Sequence, residues 1–379
     1  MSKYLRDDAF LTMTMRESEV HDLIIQDEAT RNDILKILNK SLQTKFIHED
    51  QYINGITADF TLLHDVKIVA IMECKGSEIN VTDYVRGIGQ VFQYEYFFEE
   101  KHSPKGREFN HEFNSILLIT SSLTLKKEFN IAFFKYPSRL KLLEINEVNK
   151  IVREITKKEL ETLKLAPKNG LVAISQYYFR DNRIYEYYLA LIYLSYLKFK
   201  GHLKVNRKEA GEFLKKLNTV NKNNWTNAFI TLSSLGITDS NNLPTSKGLV
   251  LANMSYYEFA TEMFFSYLKP YIECIFKALP FENQIIDIKN YEILTKIRGN
   301  FNNKDVLFLT ESSGRYISSF LNILRDDYGC IQFQKQSSLR KITYNPCKYS
   351  KDALINEIKI NNKSVSDYLK LYHNLINQQ

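Results

Sequence analysis

Three residues that together can do chemistry stand at the ends of two apolar stretches: Asp59 in TADFTLLH, and Glu73 and Lys75 in KIVAIMECK. Residues 67–74 are almost continuously apolar and β-branched, which suits a strand covered on both faces. Side chains alternate along a strand, so Glu73 and Lys75 share one face and Cys74 takes the other. Residues 57–63 read as a second strand. The few residues between the two allow only a short reversal, so they should pair antiparallel. An odd-length loop, Asp65-Val66-Lys67, then sets Asp59 directly opposite Glu73, with Cβ atoms roughly 5 Å apart. Two carboxylates that close repel, and a divalent cation between them removes the conflict. Mg²⁺ suits such a site, taking a few carboxylates together with water and phosphate oxygens. Lys75 adds a charge that can hold a phosphate or orient a metal-bound water. Hydrolysis of a phosphodiester needs that charge neutralisation and a nucleophile available at neutral pH. A Glu-x-Lys at a strand end is, by itself, also the pattern of a solvated ion pair, so the surrounding elements decide.

Residues 80–99 form the next element, a helix with Val81, Tyr84, Val85, Ile88, Val91 and Phe92 on its core face. Arg86, Gln90 and Tyr94 recur at i, i+4 and i+8 on another stripe. Gly87 and Gly89 let this helix approach the sheet closely, at a cost of about 1 kcal/mol each. The order of Asp59, Glu73-x-Lys75 and a helix bearing Gln90 and Tyr94 resembles the PD-(D/E)xK nucleases, which include many restriction endonucleases. The resemblance spans roughly residues 20–145. It departs from the family pattern at Ala58, where proline is usual. It implies an α/β (α+β) domain with a mixed sheet flanked by helices. It further implies Mg²⁺ held by Asp59, Glu73 and the Cys74 carbonyl, with Lys75 supporting the attacking water. Gln90 and Tyr94 would steady the phosphate or the lysine, and Arg86 on the same stripe is a candidate DNA contact. Several families of this kind carry a glutamate and then an arginine on a helix before these strands. Glu28 and Arg31 match that pair, on a helix begun at residue 26 whose apolar side is Ile34, Leu35, Ile37, Leu38 and Leu42. Glu28 is then a candidate metal or water ligand, equally suited to a plain first-turn acid, and Glu19 is the competing acid. Residues 1–27 read as either a short helix or a strand.

The chain has 379 residues, 44% of them apolar, and a formal charge of +7. That length supports a sizeable core and two or three domains. The modest basic excess permits a polyanionic partner. Cys74, Cys274, Cys330 and Cys347 are scattered without a CxxC pair, so neither a zinc site nor a disulfide framework is expected, which fits a reducing cytoplasm. The apolar runs are far shorter than a membrane span. Strands at residues 115–120 and 140–145 should extend the sheet and close the nuclease domain near residue 150. Residues 151–170 read as a helical linker.

Residues 171–270 change character. A tyrosine-rich helix precedes two shorter helices at 206–217 and 223–235, closed by Gly236 at a C-cap position. The following ITDSNNLPTSKGLVL alternates through a tight polar turn as a wing does, giving a winged-helix DNA-binding domain. Lys222, Asn223, Asn224 and Asn227 then begin its recognition helix, where asparagine can pair with adenine and lysine with guanine or phosphate. A weaker echo spans 271–379: a short helix at 304–311, a helix at 313–327 begun by Arg315, Gly329, and a basic hairpin carrying Lys335, Arg340 and Lys341. This second winged-helix-like module would contact phosphates, and one terminal helix closes the chain.

Together these features imply a sequence-specific endonuclease for double-stranded DNA resembling a type II restriction enzyme. The separate recognition modules suggest a type IIS arrangement. Cutting both strands calls for a homodimer on DNA or a second nuclease subunit. Two other readings remain: a repair, recombination or phage-defence nuclease that recognises DNA structure, and a winged-helix transcriptional regulator without cleavage activity.

Overall fold

The computed structural model describes residues 14–104, 106–126, 128–279, 284–335, 337–362 and 365–377. The chain divides into two compact units, Met1–Glu161 and Thr162–Gln379. The first contains α1 (Glu17–Gln26), α2 (Glu28–Ile37), β1 (Lys45–Gln51), β2 (Thr57–His64), β3 (Lys67–Lys75), α3 (Val81–Glu99), β4 (Glu108–Thr120), the single turn α4 (Ser121–Thr124), β5 (Leu140–Ile145) and β6 (Val152–Glu154). α5 (Lys157–Lys168) contains the point of division. The strands form one six-stranded sheet in chain order. β2 pairs antiparallel with both β1 and β3, β3, β4 and β5 run parallel, and β6 turns back on β5. This is the expected mixed sheet flanked by helices.

The apolar run of β3 has its reason in this topology, because every residue from Ile68 onward is buried in the middle of the sheet. Val20 and Ile24 of α1, and Ile34 and Leu35 of α2, pack with Phe60, Leu62, Met72 and Cys74 on one face. α3 packs along β3 and β4. The opening segment, read as helix or strand, is a helix over α1; its residues 1–13 lie outside the described residues.

Several expectations are corrected in this unit. The β2–β3 turn is two residues, Asp65 and Val66, with Asp65 in the left-handed region at φ 54°. The parity expected of a three-residue loop comes instead from a bulge: Leu63 pairs Ile68, whereas Leu62 pairs Ala70 and Phe60 pairs Met72. One extra residue on β3 shifts the register, and continuing it by one pair faces Asp59 with Glu73. The core face of α3 is rotated from the expected one. Tyr84, Gly87, Ile88, Val91, Tyr94, Glu95 and Phe97 are buried, while Val81, Val85 and Phe92 are exposed. Gly87 sets this rotation, since a Cβ there would lie 2.9 Å from Lys75 Cε; Gly89 faces open space. Beyond residue 150 the expected linker begins as a strand, because Arg153 of β6 pairs with the buried Glu144 of β5 at 2.9 Å.

The second unit is mainly helical: α6 (Ile184–Phe199), α7 (Arg207–Lys215), α8 (Trp225–Ser234), α9 (Ser246–Ala252), α10 (Tyr256–Met263), α11 (Lys269–Ala278), β7 (Ile285–Asp287), α12 (Asn290–Gly299), α13 (Arg315–Asp326), β8 (Ile331–Gln332), β9 (Leu339–Ile342), α14 (Lys351–Asn361) and α15 (Val365–Asn377). α6 is buried around most of its circumference, as its composition requires. Gly236 follows α8 at φ 72°, the left-handed position expected of it. The segment after it is not a full wing. Thr238 bridges Pro244 alone, Pro244 has no N–H to extend a ladder, and Thr245 caps α9 through the Gly248 N–H at 3.0 Å. Val205 joins this turn by donating its N–H to the Asn241 carbonyl.

In the later module residues 304–311 are turns, not a helix, and the helix preceding α13 is α12. Asn302, Asn303 and Phe308 adopt positive φ, and Asp305 is held by Arg298 at 2.6 Å and Thr310 at 2.7 Å, which fixes a compact loop. β7, β9 and β8 form a three-stranded antiparallel sheet in that order. The expected single terminal helix is two, α14 and α15; residues 363, 364, 378 and 379 lie outside the described residues.

Asp327, at the end of α13, is buried in the core of this unit, where one carboxylate oxygen accepts from the Tyr185 N–H and the Tyr256 hydroxyl, each at 2.9 Å. Burial pushes its pKa up from 3.8 to about 7, against the lowering effect of the Tyr185 N–H and Arg183. Between those values the folded chain holds a proton that the unfolded chain has lost, so stability falls as pH rises toward 7 and is flat above it. Asp327→Asn keeps the acceptor and removes the charge. Denaturant titrations from pH 5 to 7.5 should show a wild-type slope steeper than the variant's by about 1 kcal/mol per pH unit. Parallel slopes would remove this assignment.

Candidate active site

Asp59 on β2, and Glu73 and Lys75 on β3, meet at one end of the sheet. The Cys74 main-chain N–H donates to Asp59 Oδ2 at 2.7 Å, which fixes the aspartate against β3. Lys75 Nζ donates to Glu73 Oε1 at 2.8 Å, and the Tyr94 hydroxyl of α3 donates to Glu73 Oε2 at 2.6 Å. Both oxygens of Glu73 are therefore engaged from within the fold, and its side chain is 1% exposed. Asp59, at 17%, is the acid open to the outside.

Electrostatics follow from this burial. Glu73 is pushed up to about 7, first by burial and then by the Asp59 charge, against the opposing pull of Lys75 and Tyr94. For Lys75, burial works against the ammonium, but Glu73 and then Glu17 outweigh it and hold the group above its ordinary range. Lys75 is thus a permanent cation and not a proton acceptor near neutral pH. Burial, followed by the Glu73 charge, raises Tyr94 as well, so its hydroxyl stays protonated and donates. Burial pushes the Cys74 thiol up too, leaving it neutral.

Two further groups arrive from α1, and neither was singled out in the sequence. Glu17 receives Lys75 Nζ at 3.2 Å on both oxygens. His21, one turn later on the same face, places Nε2 3.4 Å from Asp59 Oδ2. Burial lowers the His21 pKa and the contact with Asp59 raises it, with a net upward shift. The signal was present in ESEVHDLII: Val20 and Ile24 repeat at i, i+4 beside Glu17 and His21, an amphipathic helix with a polar pair along one edge. α1 is held close by Gly76. Met15 and Ser77 exchange two hydrogen bonds of 2.9 Å, and a Cβ at Gly76 would lie 2.5 Å from the Glu17 main-chain nitrogen.

The other acids singled out in the sequence make local contacts or face outward. Glu19 bonds back to the Arg16 N–H and closes the start of α1, while Glu28 is exposed in the first turn of α2. Arg31 does not pair with Glu28; its guanidinium bonds the Ile24 and Ile25 carbonyls at the end of α1. Gln90 is half-buried one turn before Tyr94, and Arg86 is exposed with Asp83 at 3.6 Å. No protein-family model, curated protein or solved structure matches this chain. The function of the centre therefore rests on its chemistry.

In the second unit, Lys222, Asn223 and Asn224 are exposed at the start of α8, with Asn227 half-buried a turn further on and Lys222 bonded to Asn218. Arg315 opens α13 and pairs with Asp181. Lys335 and Lys341 are exposed on the β8–β9 hairpin. Arg340 does not project from it as a phosphate contact should. It is buried, donates to the Ile288 carbonyl and to Asn290, and lies 5.0 Å above the Phe333 ring. Alternation on β9 turns Arg340 inward and leaves Lys341 outside. A cleft of about 570 Å³ opens beside it, lined by α13 and the hairpin and containing Arg183, Lys289, Arg325, Lys335 and Arg340 with no acid among its lining residues. Among the described residues no helix is long and apolar enough to cross a membrane.

Proposed function

We propose that the chain is a metal-dependent endonuclease acting on double-stranded DNA, resembling a type II restriction enzyme of the PD-(D/E)xK kind. The observation that carries this reading is the convergence of Asp59, Glu73, Lys75 and Tyr94, where a buried acid is shared by an ammonium at 2.8 Å and a phenol at 2.6 Å. A solvated surface pair would not be buried and cross-bonded in this way. The donor set fits Mg²⁺: Asp59 is part-exposed beside Glu73, and an additional cation there would offset both the burial and the Asp59 repulsion that raise Glu73. Asp59, Glu73 and the Cys74 carbonyl are the residues that would hold it. When bound, the ion supplies charge neutralisation and a more acidic water.

The chain's own residues do the rest. Lys75, held by Glu73 and Glu17, presents a fixed positive charge to a phosphate oxygen and stabilises the negative charge that develops there. Tyr94 keeps the Glu73 carboxylate oriented. Gln90, on the Tyr94 stripe, is the next candidate to touch the phosphate.

The second unit supports the DNA assignment. The sequence of α11, β7, α12, α13, β8 and β9 with strand order β7-β9-β8 suits a winged helix, and α6, α7, α8 and the Val205–Asn241 turn suit a reduced one. The exposed lysines and asparagines at α8 and the hairpin are the candidate contacts. Cleavage of both strands requires two such centres, supplied by a dimer or a second subunit.

Unmethylated plasmid and phage DNA incubated with the full chain and Mg²⁺ should give discrete fragments, absent with EDTA, and sequencing their ends should return one recurring site. DNA bound but left intact across both a Mg²⁺ and a Mn²⁺ series would overturn the nuclease reading in favour of a regulator.

A further inference from the structure

His21 faces the rim of the sheet from α1, and nothing in the proposed mechanism uses it. Its Nε2 is buried, stands 3.4 Å from Asp59 Oδ2 and makes no hydrogen bond of ordinary geometry. The Cys74 sulfur lies within 4.8 Å of a ring nitrogen of His21 and a carboxylate oxygen of Asp59. On the other side of the ring, His21 Nδ1 is 3.2 Å from His48 Nε2 of β1. When Nδ1–H donates to His48, Nε2 keeps its lone pair directed at the carboxylate. A histidine whose second nitrogen is fixed by a neighbour is the usual state of a metal ligand. The rings are also restrained by packing, with Phe60 5.4 Å from His21 and 5.1 Å from His48.

The spacing is that of two ligands. An octahedral ion with bonds of about 2.1 Å holds adjacent donor atoms about 3 Å apart. A 3.4 Å gap between a carboxylate oxygen and an imidazole nitrogen needs only a small contraction to become such an edge. Imidazole is a poor ligand for Mg²⁺, whereas the divalent first-row transition ions accept it with an affinity that is lowest for Mn²⁺ and rises through Co²⁺.

We propose that His21 binds, together with Asp59, the divalent ion of this centre, and that the centre therefore prefers Mn²⁺, Co²⁺ or Zn²⁺ over Mg²⁺. This rests on the reading of Asp59 as a metal ligand but not on any DNA substrate. His48 is a positioning residue that holds the ring, and α1 thus brings a nitrogen ligand one turn beyond the glutamate that holds Lys75.

The test is metal binding by the full chain without DNA: Mn²⁺ by its paramagnetic resonance signal and Mg²⁺ by calorimetry. Wild type is compared with His21→Ala, His21→Gln and His48→Phe, each checked for a wild-type thermal transition. Mn²⁺ affinity should fall at least about 10-fold in both His21 variants, and about 10-fold in His48→Phe, with Mg²⁺ affinity nearly unchanged. Co²⁺-loaded wild type, which needs no variant, should show a paramagnetically shifted imidazole N–H proton. Equal losses for both ions, no loss, or no shifted proton overturns the proposal. If His21-dependent Mn²⁺ binding is found but DNA stays intact, the nuclease reading alone fails. Mg²⁺-dependent cutting with no His21 effect on metal binding removes this inference alone.

Discussion

Lys75→Met should lower metal-dependent DNA cleavage by on the order of 10³-fold while the protein stays folded and still binds DNA. Methionine keeps the unbranched stem that packs against Gly87, so α3 does not have to move. What is lost is the charge. In wild type the ammonium is anchored by Glu73 at 2.8 Å and Glu17 at 3.2 Å, with the side chain 9% exposed. Stability should change little. Removing one partner of a buried ion pair is costly when the other stays charged. Glu73 already sits near 7 and can take up a proton instead. Single-turnover cleavage rates at saturating Mg²⁺, beside a thermal unfolding scan, read both quantities. Undiminished cutting would remove Lys75 from the chemistry, and unfolding without the charge would make its role structural.

Gly76→Ala is the second large effect, and it acts through the main chain. The added Cβ would lie 2.5 Å from Glu17 N and 2.8 Å from both Arg16 C and Met15 O, all backbone atoms that cannot rotate away. α1 must therefore move outward, taking Glu17 from Lys75 and His21 from Asp59. Overpacking of this kind costs about 1–3 kcal/mol, and a displacement of about 1 Å in a positioning group can cost about 10²-fold in rate. We expect a lower unfolding midpoint together with a loss of cleavage that added Mg²⁺ does not restore. Gly89→Ala, which meets open space on the same unit, serves as the control and should leave cleavage unchanged. Equal behaviour of the two variants would show that α1 does not position the centre.

The division between what was legible and what was not follows the range of the interactions. β3 could be read because a central strand buried on both faces must be apolar along its length, and the parallel strands β4 and β5 carried the same mark. α6 was legible for the same reason. Asp59, Glu73 and Lys75 stood out as polar exceptions in apolar runs, and Tyr94 stood at a helical spacing that points toward them.

The misreadings arose where local pattern leaves two answers open. The parity of the β2–β3 hairpin is met by a three-residue loop or by a two-residue turn with a bulge, and only the packed sheet selects the bulge. Val81, Val85 and Phe92 make as good an apolar stripe on α3 as the buried one, but close approach to Lys75 is possible only along the side that carries Gly87. Arg340 has the composition of a wing contact and the parity of an inward residue.

By itself, then, the sequence determined the four apolar strands β2 to β5 and the acids and lysine that interrupt them, because periodicity and burial act through neighbours along the chain. The edge strands β1 and β6, whose patterns are more polar, were settled only by pairing in the folded sheet. Only the tertiary structure decided that Glu17 and His21, far from Lys75 and Asp59 in the chain, complete the centre. Their contacts depend on how closely α1 lies against β3, and that distance is set by a missing side chain at Gly76 and two hydrogen bonds between Met15 and Ser77.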